Sequence, residues 1–278
     1  MTTTAPTTDA GTATASVGRR MLNKVPEVTL WFWIIKILAT TVGETAADYL
    51  NETLGFGLSN TTYVTGALLL VLLALQFRAR RYVPAVYWAT IVVISVFGTL
   101  ITDNLTDGHD VPLTTSTTVF TVILALVFAA WFAAERTLSI HSIVTTRREA
   151  FYWLTILFTF ALGTAAGDLV AEKASLGYTV SVLIFGGVIA LITVAHLVFR
   201  LNAVLSFWLA YVMTRPLGAS IGDLLSQTRH DGGLGLGTTG TSYIFLAIIL
   251  TLVVFLTVTK RDVIETRRRE DDAGLRLV

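Results

Sequence analysis

The sequence contains no cysteine, which rules out disulfides, thiolate metal ligands and thiol nucleophiles. Charge is scarce as well: 14% of residues are charged against 54% apolar, and the mean hydropathy is +0.70. Such a balance is too apolar for a water-soluble domain of 278 residues, so lipid is the expected solvent for most of the chain. A net charge of +1 leaves no global field to attract nucleic acid, and none is expected as a partner. Missing too are the G-x-x-x-x-G-K-[ST] phosphate loop, the H-E-x-x-H zinc helix and the G-x-S-x-G nucleophile elbow. No polar segment is long enough to fold as a catalytic domain, so neither an enzyme nor a cofactor is expected.

What the chain does have is long apolar runs. A bilayer core of about 30 Å takes roughly 20 helical residues, and eight stretches qualify, near 28–48, 60–78, 83–103, 116–135, 150–169, 178–199, 203–223 and 241–259. Only helices or closed barrels satisfy the backbone in lipid, and runs of this length specify an all-α integral membrane protein with eight transmembrane helices. Arg19 and Arg20 precede the first run as in a twin-arginine signal, but that run lacks a cleavage site and is expected to stay as the first span. With a cytoplasmic N-terminus, sixteen Lys and Arg fall on the inner side, and only Lys173 and Arg229 fall outside. This bias places both termini in the cytoplasm, with an inner (plasma) membrane as the expected location.

The odd-numbered spans repeat one another. Trp33, Gly43 and Asp48 recur as Trp88, Gly98 and Asp103, as Trp153, Gly163 and Asp168, and as Trp208, Gly218 and Asp223, giving W-x9-G-x4-D four times without a gap. An aromatic precedes each Trp: Phe32, Tyr87, Tyr152 and Phe207. Each unit holds two spans, so successive units enter the membrane in the same sense and all four Asp share one depth. The motifs are spaced by 55, 65 and 55 residues, which groups the units in pairs. The expected organisation is a polar tail over 1–24, a four-helix half over 25–144, a second half over 145–260 and a charged tail over 261–278.

The four-repeat pattern resembles the bacterial membrane family known as domain of unknown function 347, over roughly residues 26–260. The aromatic-Trp pairs and the G-x-x-x-x-D steps carry the resemblance. It implies the fold and the membrane location but no substrate, so function has to come from the residues.

Each motif glycine opens a small-x-x-x-small step, the pattern by which membrane helices pack closely: Gly43 with Ala47, Gly98 with Thr102, Gly163 with Gly167, Gly218 with Gly222. The tryptophans are expected in an inner aromatic belt or in helix packing. Asp48, Asp103, Asp168 and Asp223 stand directly beside this packing face, about 22 Å beyond the Trp. An Asp at a helix end can simply snorkel to water or cap a turn, but four at one register argue for a shared ion-facing role. Glu44, in unit one only, lies one turn before Asp48 and adds a ligand or proton carrier. Lys36 and Arg215 are likewise unmatched by the repeat and are expected to neutralise carboxylates on neighbouring helices. Pro216 is expected to kink the seventh span. His196 is expected to be a packed or interfacial histidine.

Oxygen ligands without sulfur suit protons, sodium or a hard divalent ion such as manganese. The expectation is a transporter or channel-like protein for a small cation. Two alternatives stay open: a non-transporting scaffold or stress-related protein, and a transporter of a small organic solute.

Overall fold

The computed structural model describes residues 23–173, 176–230 and 232–262. The two expected tails fall almost wholly outside these residues. Among the described residues all regular structure is helical, in eight long helices: α1 Leu30–Asp48, α2 Leu58–Arg78, α3 Pro84–Thr106, α4 Leu113–Glu135, α5 Thr146–Asp168, α6 Gly177–Leu197, α7 Ala203–Ser226 and α8 Gly237–Thr259. All are long and apolar enough to cross a bilayer.

Local chemistry sets the helix ends. The Thr29 and Thr145 hydroxyls and the Asn202 side-chain oxygen each accept a backbone N–H of the first turn, capping α1, α5 and α7. Thr145 lets α5 begin four residues earlier than its apolar run indicates. Gly57, Gly177 and Gly237, all at positive φ, form the turns into α2, α6 and α8. Beyond Asp48 and Asp168, α1 and α5 continue as single π-helical turns, Tyr49–Thr53 and Leu169–Lys173, whereas α3 and α7 stay α-helical past their Asp. Pro216 sits inside α7, which remains one α-helix through it.

The odd helices form a closed inner ring in the order α1, α3, α5, α7 and back to α1, and each even helix packs outside the odd helix of the next unit: α2 on α3, α4 on α5, α6 on α7, α8 on α1. Burial follows this arrangement. In the odd spans 56–61% of residues are buried inside the protein, against 11–28% in the even spans, whose leucines, isoleucines and valines face outward.

Two cyclic sets of contacts close the ring. The aromatic before each Trp packs on the Trp of the next unit: Phe32 on Trp88, Tyr87 on Trp153, Tyr152 on Trp208 and Phe207 on Trp33, with ring centres 5.7, 5.6, 6.3 and 5.7 Å apart. The motif glycines do the same one level up. Gly43 lies against Ser95, Gly98 against Phe160, Gly163 against Arg215 and Gly218 against Thr40, and a Cβ on any of them would overlap that neighbour. Each neighbour stands three residues before the glycine of its own unit, so one contact is made four times. Each Trp thus packs at the contact between neighbouring units of the ring.

The contacts across α3–α5 and α7–α1 are therefore of the same kind as those within each expected half. The ring has no seam between two four-helix halves. The extra length between units two and three instead folds back under the ring, where Ile140 and Ile143 are buried and the Leu138 carbonyl accepts the Trp208 indole N–H at 2.9 Å. The described ends of the chain meet at this same end, where Glu27 N–H donates to the Asp262 carbonyl at 2.9 Å. Here Lys24 is buried, paired with Glu149 at 2.6 Å and donating to the Phe77 carbonyl at 3.1 Å.

Candidate functional site

Side chains four residues apart share one helix face, and on the odd helices that face contains five successive levels. From the end where the chain's termini meet, the levels are Phe32, Tyr87, Tyr152, Phe207; then Lys36, Ile91, Ile156, Tyr211; then Thr40, Ser95, Phe160, Arg215; then Glu44, Thr99, Thr164, Ala219; and last the four Asp. The first three levels are almost entirely buried, and the Tyr87 and Tyr152 hydroxyls meet at 2.5 Å. The terminus end is thus filled by large side chains. At the other end Asp48, Asp103 and Asp168 are half-buried and Asp223 is 8% exposed.

Between the two stands Arg215. Its stem crosses Gly163 of α5, and its guanidinium, wholly buried, reaches the other three ring helices. It donates to Glu44 Oε2 at 2.7 Å and to the Thr40 carbonyl at 3.1 Å on α1, to the Thr99 hydroxyl on α3, and to Thr164 Oγ1 at 2.7 Å on α5. The Thr99 hydroxyl in turn lies 3.5 Å from Glu44 Oε2, as its donor. The planar fork of an arginine suits this arrangement because it offers several N–H donors in fixed directions and keeps its charge. One side chain therefore ties all four ring helices together at the level of Glu44.

Above it the carboxylates converge. Glu44, Asp168 and Asp223, from α1, α5 and α7, each offer an oxygen, and these oxygens lie within 4.8 Å of one another. Oxygens gathered this closely are the kind of ligand a hard cation such as calcium takes. Asp103 lies in the field of Glu44, Asp168, Asp48 and Asp107, and Asp48 in that of Glu44, Glu52, Arg215 and Asp107. The five acidic residues singled out in the sequence are thus brought to one end of one axis.

The two basic residues behave differently. Arg215 pairs with Glu44 on the neighbouring helix α1. Lys36 does not: its Nζ is buried with no hydrogen-bond partner and lies over the rings of Phe160 and Tyr211, 4.2 and 4.3 Å from their centres. The reason is distance along the helix. Lys36 is two turns short of Glu44, at the level where the neighbours are Ile91, Ile156 and Tyr211 rather than acids. Sequence reasoning missed Thr99 and Thr164 as partners of Arg215, although both stand at the Glu44 register of their repeats. His196 is half-buried with Nδ1 2.9 Å from the Leu201 carbonyl.

A separate cavity of about 610 Å³ opens beside the ring between α1, α6, α7 and the 138–141 segment. Its lining is mostly apolar and includes Trp33, Phe207, His141 and His196.

Eight bilayer-length helices in four parallel repeats, closed into a ring with carboxylates gathered at one end of its axis, have the build of a multi-pass membrane protein. The family is shown by its repeat: the model described as Repeat of Unknown Function (DUF347) matches residues 31–82, 86–137, 151–202 and 206–262, and the chain belongs to that family. The matched segments follow the structural units, each running from an odd helix to the end of its even partner. No curated protein matches the chain, and no solved structure does.

Proposed function

We propose that the protein binds a small cation among Glu44, Asp48, Asp103, Asp168 and Asp223 and moves it across the bacterial inner membrane, acting as a transporter and not as an enzyme. The observation that supports this most is the convergence of Glu44, Asp168 and Asp223 oxygens from three helices within 4.8 Å at the half-open end of a ring axis. Five carboxyl groups gather near one guanidinium, and carboxylate oxygens favour protons, sodium or a hard divalent ion over soft metals. Ionisable groups in a membrane span are costly to keep and are functional candidates for that reason.

The buried aromatic levels below Arg215 argue against a permanently open pore. A cation entering from the acidic end passes the carboxylates and then meets Arg215, whose charge repels it while its contact with Glu44 holds the helices together. Passage therefore requires Arg215 and its level to rearrange, which is the behaviour of a carrier.

Equilibrium dialysis of the purified protein against sodium, calcium and manganese tests the site. Binding of one of them, lost on combined replacement of the four Asp by Asn with the helical fold intact, is expected. Equal binding by both proteins, or none by either, would overturn the reading. A second reading, transport of a small organic solute, is supported by the side cavity with its Trp33 and Phe207 walls. It expects Trp33→Ala to abolish solute uptake while leaving cation binding untouched.

A further inference from the structure

We propose that the side cavity between α1, α6 and α7 seats one acyl chain of an anionic phospholipid, whose phosphate lies at the terminus end beside Arg200. The cavity stands on the flank of the ring, apart from the acidic end of the axis, so this site does not rest on the cation reading.

Its depth matches one leaflet of a membrane. The walls run along α7 from Ala203 to Thr214 and along α6 from Leu197 back to Ile189, with Trp33 and Ile37 of α1 opposite. The stretch from Ala203 to Thr214 rises about 16 Å, which is about half of a hydrocarbon core of roughly 30 Å. The cavity thus starts where α7 starts, at the terminus end, and stops near the middle of the span. Leu30 and Leu197, 73% and 72% exposed, stand at its edge and leave it open to a lipid from the side.

Polarity is divided along the cavity as it is along a lipid. The Thr193, Ser206 and Thr214 hydroxyls each donate to a carbonyl of their own chain one turn back, those of Ile189, Asn202 and Tyr211, so their protons are not offered to a ligand. A polar solute needs convergent polar groups to fix its orientation, whereas a hydrocarbon tail needs none. At the terminus end the lining becomes polar, with Ser139, His141 and His196. Arg200 stands in the turn between the lining residues Leu197 and Ala203, and Arg136 two positions before Leu138, both exposed. Of the two acids close by in the chain, Glu135 is paired with Arg147 and Arg148, which leaves Glu27 against two arginines. A guanidinium is the side chain suited to phosphate oxygens.

The repeat alone does not build this site. The 138–141 segment that closes its terminus end lies between the second and third matched repeats and is held by the Trp208 indole at the Leu138 carbonyl. Trp33 and Phe207, whose contact joins the last unit to the first, form part of the wall. A chain seated here packs across the junction where the ring closes. Lipid tails are as apolar as the bilayer they leave, so close packing and headgroup charge retain this lipid rather than the hydrophobic effect.

The test uses the full chain in phosphatidylcholine nanodiscs containing a small fraction of phosphatidylglycerol with a diazirine at the end of one acyl chain. After irradiation, labelled residues are mapped by peptide mass spectrometry. Label is expected to concentrate at Ile37, Ile189, Ala210 and Thr214, and to be lost in A210F and in T193W, which place bulk on the α7 and α6 walls. One arginine near the surface is worth about five-fold in affinity for an anionic lipid. The same diazirine chain on phosphatidylcholine is therefore expected to label these positions about five-fold less, and R200Q to remove the difference. Label spread evenly over the outward faces of α2, α4, α6 and α8 would overturn the acyl site. Deep positions left unlabelled would also overturn it and return the cavity to a solute. Equal labelling by the two lipids would overturn the anionic headgroup. The wild-type labelling pattern decides the matter even if A210F does not fold, and T193W changes an exposed position of an outer helix.

Discussion

Arg215 and Glu44, 171 positions apart in sequence, lie 2.7 Å apart at the centre of the ring, where the last repeat meets the first. Both are single departures from the repeat: the positions matching Arg215 are Thr40, Ser95 and Phe160, and those matching Glu44 are Thr99, Thr164 and Ala219. A four-fold scaffold has thus been made asymmetric at its axis by one basic and one acidic side chain, which pair across the closing interface. The pair is almost fully buried, with side chains 0% and 8% exposed.

Breaking such a pair leaves a buried charge uncompensated, which costs about 3–5 kcal/mol. Arg215→Met is expected to lower stability by that order, and Glu44→Gln by a comparable amount. The double variant is expected to lose clearly less than the sum, because each change removes the other's stranded partner. Unfolding in detergent, followed by tryptophan fluorescence, measures this. Additive losses would show that the two residues do not depend on each other.

The motif glycines give a second prediction. Gly43→Ala, Gly98→Ala, Gly163→Ala and Gly218→Ala each place a methyl group against the neighbouring ring helix, and overpacking of this kind costs about 1–3 kcal/mol. Gly187 and Gly240, in the outward α6 and α8, have open space where a Cβ would stand. Their alanine variants are expected to be neutral or slightly stabilising, by up to about 1 kcal/mol from helix propensity. The same unfolding assay distinguishes the two groups.

Much of this was legible in the sequence, for a physical reason. Trp33, Gly43 and their counterparts recur at fixed spacing because each Trp makes the same contact with the preceding unit and each Gly the same contact with the next, so the repeat announces which positions face inward. Span positions followed from hydrophobic length, and the boundaries differed mainly where polar residues, such as Thr145 before α5, cap a helix beyond its apolar run. Ring closure was not legible, because the 55, 65 and 55 spacing records the length of a connection and not where it goes. The ten additional residues pack beneath the ring, with Ile140 and Ile143 buried. The place of Lys36 was also hidden: an unmatched charge in a span invites a search for an opposite charge, and its surroundings are the rings of Phe160 and Tyr211, which come from helices far away in sequence.

At the terminus end, Lys24 and Glu149 form a second buried pair that joins the segment before α1 to the start of α5. Lys24→Met is expected to destabilise the protein by about 3–5 kcal/mol, as for any buried pair cut in half. Because the pair stands at the opposite end of the axis from the Asp set, cation affinity of the folded protein is expected to stay unchanged. Dialysis together with thermal unfolding separates the two effects.

Asp262 supplies a pH dependence. Burial pushes its carboxyl above the ordinary carboxylate range, and the hydrogen bond from the Tyr82 hydroxyl, at 2.5 Å, partly opposes that rise. A group whose folded pKa is raised stabilises fully below its unfolded value, and that contribution is lost as pH rises through the folded one. Stability is therefore expected to fall across that window as pH increases, and Asp262→Asn is expected to flatten the profile. Tyr82→Phe, which removes the opposing bond, is expected to extend the window upward. Unfolding measured as a function of pH in the three proteins checks the sign.

The central claim, that the carboxylates around the ring axis form a path for a cation, is tested most directly by ion flux. Protein reconstituted in liposomes is loaded with a reporter for sodium, calcium, manganese or protons, and uptake by the wild type is compared with that of the variant carrying Asp48→Asn, Asp103→Asn, Asp168→Asn and Asp223→Asn. The account predicts uptake of at least one of these ions by the wild type and its loss in a variant that still folds. Flux that survives in the variant, or a wild type that moves none of them, would contradict it.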